Sequence, residues 1–321
     1  MLRRVFRPVR APFGSRALSQ STAAAVRSVV KSPLFSDKAV QQAVDEFAAL
    51  NFDKSYETHF ATGQIAAHVS GYLNAKAVRT SAATPLDYAS ETPTGAFYLT
   101  GKGTDPHDLA KRIDAYVSRN KPKDGKSGVS VRSYAPSVDS PTAVTLTTID
   151  FHAFRNASGG SSLTDLCTQQ FLDTRSPEAQ KRYGDLLERL GKSVHQVYDI
   201  QSAADGSTML TIALQPDRDV YFTVLTALIS NIPNVTITKR FLETFANDAQ
   251  VYTVYTRGTT VQELERAALI INQLPNRPTN VVSKLHADGK LTANEVVFGY
   301  SAIMFAYYFT PPTTSDDFRE L

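Results

Sequence analysis

The chain of 321 residues contains a single cysteine, Cys167, and this scarcity excludes two kinds of site. One thiol can neither close an internal disulfide nor supply the ligands of a structural zinc site. A catalytic role for Cys167 is not indicated, because no histidine or asparagine partner can be assigned to it from the sequence. The cysteine usage therefore indicates a reducing or redox-neutral compartment.

The motifs of several enzyme classes are also missing from the sequence. The six histidines show no metal-ligand spacing, and no His-Glu-x-x-His helix occurs. There is no Gly-x-Ser-x-Gly nucleophile elbow and no phosphate-binding loop. The sequence therefore predicts no catalytic residue, no cofactor-binding residue and no metal ligand.

Acidic residues are missing from residues 1–36, where seven cations lie: Arg3, Arg4, Arg7, Arg10, Arg16, Arg27 and Lys31. Because these seven charges exceed the net charge of +3, residues 37–321 carry a net negative charge. A mildly acidic body argues against a nucleic-acid interface. Phe97 and Tyr98 resemble the aromatic platform of an RNA-recognition motif, but the strand at 144–151 lacks the partner motif. We expect these two aromatic residues in the core.

An arginine-rich, serine- and alanine-rich, acid-free start is typical of a mitochondrial presequence, and we assign residues 1–36 to one. The stretch Arg16-Ala-Leu-Ser19 looks like a processing site that is cut near residues 18 to 20. A disordered basic tail is the alternative, whereas a secretory signal is excluded because no uninterrupted apolar region is present. The expected location is the mitochondrial matrix.

Helices and a linker are expected in residues 37–93. Ser36 is a suitable N-cap for a helix over 37–50, in which apolar residues recur at helical spacing. A second helix is expected over 55–78. Residues 80–94 are rich in Thr, Ser and Pro, which predicts a linker.

A repeated order of elements follows and predicts two modules, at 94–192 and 193–277. The first has a strand at 96–100, a helix at 106–120, strands at 128–134 and 142–151, and a helix at 176–190. After a strand at 194–201, the second has a strand at 208–214, a helix at 217–231, strands at 235–240 and 249–256, and a helix at 260–274. Both modules have the order β-α-β-β-α, which is most of the ferredoxin-like plan, with helices on one face of an antiparallel sheet. The predicted class is α+β.

Residues 278–321 are predicted to begin a helical segment. Residues 296–309 hold no charge, yet 14 residues are too few to span a bilayer, which needs about 20. A helix that is apolar on every side must be buried in protein. Because only a short polar tail follows, we expect this segment to be truncated and to be covered by a partner.

One loop is a candidate ligand site. Gly101-Lys-Gly103-Thr-Asp-Pro106 follows a strand and opens a helix, as a dinucleotide fingerprint does. However, Pro106 stands where close helix packing requires Gly or Ala, and no parallel βαβ unit surrounds the loop. The better interpretation is a flexible loop at a helix N-terminus, where a small anion or an amino-acid carboxylate could dock. The candidate ligand-binding residues are Gly101, Gly103 and Asp105.

Four stretches of the sequence are similar to one known family, namely Val44-Asp-Glu-Phe47 continuing to Ala75, Ile149-Asp-Phe151, Lys239-Arg-Phe-Leu-Glu-Thr-Phe245 and Gly289-Lys-Leu-Thr-Ala-Asn-Glu-Val-Val-Phe-Gly-Tyr300. They resemble the amino-terminal region of the large-subunit class of NAD-specific glutamate dehydrogenases. The resemblance is spread over about residues 40–310 and implies ACT-like modules that precede the dehydrogenase domain. In that family the glutamate site, the catalytic lysine and the NAD-binding domain lie further along the chain. No catalytic residue is therefore carried over, and NAD belongs to the full-length family only.

The resemblance implies the regulatory and oligomerisation portion of a mitochondrial NAD-dependent glutamate dehydrogenase. The full protein would convert glutamate to 2-oxoglutarate and ammonia, whereas this chain alone would be inactive. Its expected partners are the remainder of the dehydrogenase, other subunits in a homo-oligomer and an amino-acid effector, without nucleic acid or a membrane span. The alternative is a stand-alone ACT-like amino-acid-binding or assembly module of the matrix without enzymatic activity.

Overall fold

A computed structural model describes most of the chain. The described residues are 18–30, 34–50, 52, 55–79, 86–101, 104–135, 144–156, 160–193, 196–202, 206–215, 226, 229–230, 232–273 and 289. They divide into two compact units, one up to Val78 and one from Arg79 onward.

The first unit consists of helices, and its elements are α1 Gln20–Val29, α2 Asp37–Ala48, α3 Ser55–His59 and α4 Thr62–Val78. Helix α2 begins as predicted, because the Ser36 side chain accepts a hydrogen bond from the backbone N–H of Ala39. The prediction of one helix over 55–78 is wrong. Two helices occupy that range, and the second begins where the Gln64 side chain accepts from the N–H of Ala61. Helix α1, inside the predicted presequence, packs against α2 and α4.

Aromatic rings fill the interior of the helical unit. The ring centroids of contacting pairs lie 5.1 to 6.0 Å apart among Phe47, Phe52, Tyr56, Phe60 and Tyr72. His68 is buried among them, with its Nδ1 2.7 Å from the Tyr56 hydroxyl. Burial lowers the pKa of His68 to about 3, so the imidazole is neutral in the folded unit.

The second unit is built on one eight-stranded antiparallel sheet, in the order β1-β2-β4-β3-β7-β8-β6-β5. The strands are β1 Asp87–Thr92, β2 Gly95–Gly101, β3 Ser127–Tyr134, β4 Val144–Ala153, β5 Val197–Ser202, β6 Thr208–Leu214, β7 Thr236–Thr244 and β8 Gln250–Arg257. The helices are α5 Pro106–Asn120, α6 Leu163–Leu166, α7 Gln169–Thr174, α8 Pro177–Gly191 and α9 Val261–Gln273. The predicted class, α+β, is confirmed.

The strand order shows an internal repeat joined at one seam. Strands β1-β2-β4-β3 are followed in space by β7-β8-β6-β5, so the second set repeats the first in reverse. Strands β3 and β7 form the seam through five residue pairs, from Ser130–Glu243 to Tyr134–Lys239. The prediction of a linker over residues 80–94 is wrong for residues 87–92, because these residues form strand β1. Each repeat therefore begins with an antiparallel strand pair, β1–β2 or β5–β6.

Helices cover both faces of the sheet, which corrects the expectation of helices on one face. Leu210 and Ile212 of β6 belong to the core formed with α5 and α9, and we call this side the α5 face. Ala213 of β6 and Val251 of β8 pack against α6, α7 and α8 on the opposite side, the α8 face. Neighbouring strand residues point to opposite faces, so the same strands serve both cores.

Most helix predictions for this unit are confirmed. Helix α5 spans the predicted residues, and α8 begins at Pro177, directly after its N-cap Ser176, whose side chain accepts from the N–H of Ala179. Helices α6 and α7 were not predicted. Most of the helix predicted at 217–231 lies outside the described residues, although residues 226, 229 and 230 are helical. The apolar segment 296–309 lies entirely outside them.

In the part of the chain that the structure describes, no helix has both the length and the apolar character needed to cross a membrane.

Candidate functional site

A cavity of about 300 Å³ lies on the α5 face, where β2, β3 and β4 meet the start of β7. We call it the seam cavity, because both repeats form its wall. The first repeat contributes Thr100, Gly101, Thr104, Asp105, Leu109, Ser133, Ala135 and Thr145. The second repeat contributes Ser230 and residues 235–240. The volume is at the lower end of the range for small-molecule sites.

The loop predicted to bind a ligand forms one side of the seam cavity. Gly101 is the buried last residue of β2, and its carbonyl accepts from the N–H of Thr104 at 3.2 Å. Asp105 is exposed and immediately precedes α5, and its carbonyl accepts from the N–H groups of Asp108 and Leu109. The structure thus brings Gly101 and Asp105 to one cavity. Gly103 lies outside the described residues, and ligand binding itself stays a prediction.

Hydroxyl groups lie on the α5 face of the strands beside this loop. Thr100 of β2 is opposite Thr145 of β4, and both line the cavity. Ser133 of β3 is opposite Arg240 of β7, and the Thr147 hydroxyl donates to the Ser133 hydroxyl at 2.9 Å. Elsewhere the same face carries Leu, Ile and Val. The local change from apolar to polar residues gives the cavity hydrogen-bonding groups for a polar ligand.

Arg240 supplies a buried positive charge to the cavity wall. Its side chain is held by Thr226, whose hydroxyl accepts from Nη1 at 3.2 Å, and the residue is 5% exposed. Burial lowers the pKa of Arg240 and the Tyr252 hydroxyl opposes that shift, yet a guanidinium stays protonated in proteins. The neighbouring Lys239 points to the α8 face, where its Nζ lies 4.0 Å from the Tyr255 ring centroid. Lys239 and Arg240 both line the cavity, and Arg240 is the buried cation of the two.

Ser230 adds a hydroxyl group that lacks a hydrogen-bond partner among the described residues. Its Oγ is buried, and Ser230 lines the cavity. Buried polar atoms in folded proteins are almost always hydrogen-bonded to protein, water or ligand. A bound molecule with a polar group at this position would satisfy the hydroxyl.

A second polar cluster lies on the opposite face and contains Glu243, which we use to name it. The Glu243 carboxylate accepts from Arg175 Nη2 at 2.5 Å and from the Ser130 hydroxyl at 3.1 Å, and Arg132 Nη2 lies 3.9 Å away. Arg132 also donates to the Thr174 hydroxyl at 3.4 Å. Burial lowers the pKa of Arg132. Burial also acts to lower the pKa of Arg175, but Glu243 together with nearby tyrosine hydroxyls raises it by more, so the net pKa of Arg175 is raised. The Glu243 cluster joins the α7–α8 segment to the seam, which indicates a structural role.

Two residues of β4 border the Glu243 cluster. Asp150 lies directly across from Ser130, and burial raises its carboxyl pKa although His152 and Arg132 oppose the shift. Burial lowers the pKa of His152, while Asp150 opposes that change. In the described part of the chain, no group of His, Cys, Asp and Glu side chains could hold a metal ion.

Cys167 is buried, and its environment does not activate the thiol. Burial raises the pKa of Cys167 although Arg155 opposes the shift, and the Sγ lies 4.0 Å from the carbonyl oxygen of Thr164. A nucleophilic cysteine needs a lowered pKa and access to substrate. The Cys167 side chain packs instead in the hydrophobic core on the α8 face.

The sequence prediction found the loop but missed Arg240, Ser230 and Ser133. Arg240 was noted only inside a stretch of family resemblance. The sequence did contain a signal for Arg240. Successive side chains of a strand point to opposite faces, and this alternation places Arg240 on the face that packs against the core. The contribution of Ser230 depends on a long-range approach of the two repeats and gives no local signal.

No family model matches the chain, and no curated protein or solved structure is similar to it at a significant level. The function must therefore be inferred from the seam cavity and from the resemblance in the sequence.

Proposed function

We propose that this chain is an effector-binding regulatory region, and that the seam cavity is its effector site. The observation that carries the proposal is the meeting of Gly101 and Asp105 with Arg240 at one cavity. A loop chosen from the sequence as a ligand site and a buried cation from the other repeat thus form the same cavity wall. Small-molecule sites combine an apolar wall with a few convergent polar groups in this way.

We further propose that the two repeats are ACT-like modules of a mitochondrial matrix NAD-dependent glutamate dehydrogenase. The side-by-side repeats in one antiparallel sheet support the proposal of ACT-like modules. The resemblance in the sequence supports the proposal that they belong to a glutamate dehydrogenase. In that assembly the chain would regulate glutamate oxidation and contribute to homo-oligomer contacts, while hydride transfer to NAD would occur in the dehydrogenase domain. The alternative is a stand-alone ACT-like amino-acid-binding or assembly module, and the seam cavity supports this alternative equally well. A change of dehydrogenase rate on effector binding would distinguish the two.

Blocking the cavity tests the effector site. Thr145 is half-buried on β4 and lines the cavity, so Thr145→Phe places a ring in the cavity without a change of strand propensity. Ser90→Phe on the exposed strand β1 is the matched control. The thermal unfolding of each protein is measured with a panel of L-amino acids and small carboxylic acids.

A ligand at 100 times its Kd stabilises the folded state by about 2.7 kcal/mol. This gain should raise the melting temperature of the wild type and of Ser90→Phe by several degrees. Thr145→Phe should show no shift. An equal shift in all three proteins would place the ligand elsewhere, and no shift with any compound would refute the effector site.

A further inference from the structure

We propose that the targeting segment of this chain is cut off before Leu18, so that helix α1 stays in the mature protein as part of the helical unit. This inference rests on the proposed mitochondrial location and specifies where the precursor is processed. The sequence alone places the cut near residues 18 to 20 and extends the presequence to residue 36. The burial and the hydrogen bonds of residues 18–30 point to a cut ahead of all of them.

Helix α1 buries an apolar face in the helical unit. Ala23, Val26 and Val30 recur at helical spacing, and each of them is at most 6% exposed. The helix packs against both α2 and α4. By contrast, Val29 of the same helix is 53% exposed, so the burial is confined to one face. Removing α1 would transfer apolar surface of α2 and α4 to water, which destabilises the folded unit.

The start of α1 is also part of the folded unit. The Ser19 side chain caps the helix by accepting from the N–H of Thr22, and the Ser19 N–H donates to the carboxylate of Glu57 on α3. Leu18 and Ala23 are both buried, and they occupy the two positions at which apolar residues pack together across a helix start. A cut after Leu18 would therefore remove a buried side chain, and a cut after Ser19 would remove the N-cap as well.

The cations of residues 1–36 divide at the same place. Arg27 of α1 forms an ion pair with Asp45 of α2, so this cation has a partner inside the helical unit. Most of the other cations precede Leu18, and they are Arg3, Arg4, Arg7, Arg10 and Arg16. A segment that ends before Leu18 thus keeps most of the positive charge that is typical of a presequence, without including any residue of α1.

Limited digestion of the full chain with trypsin tests whether α1 is held in the helical unit. Trypsin reaches the bond after Arg27 only when α1 opens, so the cleavage rate reports that opening. Val26→Asp places a charge in an apolar interior and should raise this rate at least ten-fold. Val29→Asp is the matched control, because the same change falls on an exposed side chain of the same helix and should leave the rate unchanged. Equal rates in the wild type and both variants would show that α1 is not packed and would overturn the inference.

Import of the full-length precursor into isolated mitochondria tests the position of the cut. The imported chain is recovered, and its first residue is identified by mass spectrometry of the intact chain and of its N-terminal peptide. We expect a shortened chain whose first residue is Leu18 or precedes it, with all of α1 present. A first residue at Ser19 or later, or an imported chain that is not cut, would overturn the inference while leaving the mitochondrial address in place. A precursor that stays outside the mitochondria would refute the address together with this inference.

Discussion

The Glu243 cluster predicts a large loss of stability from one isosteric change, Glu243→Gln. The substitution keeps the shape of the side chain but removes the negative charge that faces Arg175 and Arg132. All three side chains are at most 5% exposed, so water cannot replace the lost charge. Breaking a buried ion pair by removing one partner costs about 3–5 kcal/mol. For a unit of this size, that loss lowers the melting temperature by roughly 10 °C.

Urea unfolding followed by circular dichroism measures the effect. The control is Glu188→Gln, which removes an exposed carboxylate paired with Lys192 on α8 and should leave the free energy of unfolding unchanged. A second variant, Glu243→Gln with Arg175→Met, should recover part of the loss, because one unpaired cation is removed as well. If Glu243→Gln unfolds at the same urea concentration as Glu188→Gln, the cluster is solvated and the reasoning is wrong.

Two further predictions concern the helical unit and the turn that follows β8. The pKa of His68 is about 3 in the folded state against 6.5 for the free group, so stability is full above pH 6.5 and is lost as the pH falls towards 3. The loss should approach about 1.4 kcal/mol per pH unit below 6.5, and His68→Asn should abolish this component in urea titrations at pH 6.5 and 5. Gly258 has a φ of +73°, and a Cβ there would lie 2.2 Å from the carbonyl oxygen of Asn234. Gly258→Ala should therefore lower the melting temperature by several degrees, whereas Gly63→Ala, in open space on α4, should not.

Local signals in the sequence were enough to predict most of the helices and strands. The N-cap Ser36 and the helical spacing after it located α2, and period-two alternation located β3 and β4. Strand β1 gave no such signal. Its sequence is Asp-Tyr-Ala-Ser-Glu-Thr, and as an exposed edge strand it needs no apolar face. It is a strand because β2 supplies its hydrogen-bond partners.

The features that the sequence did not predict depend on contacts between distant residues. The placement of α8 on its own face of the sheet depends on Arg175 meeting Glu243 and on Tyr183 meeting Thr253, pairs separated by about 70 positions. The seam between β3 and β7 likewise joins residues more than 100 positions apart. The sequence therefore did not predict the part of the cavity wall that the second repeat contributes. The loop on the first repeat could be predicted from its glycines and from the start of α5.

The central claim is that a ligand binds between the two repeats. Hydrogen–deuterium exchange of the full chain, with and without the compound of the panel that raises its melting temperature most, tests this claim most directly. We expect slower exchange in two separate segments, residues 104–109 at the start of α5 and residues 235–240 at the start of β7, because both line the seam cavity. The helical unit should exchange at the same rate in both samples. Protection confined to one repeat, or found only in α2 and α4, would contradict the claim.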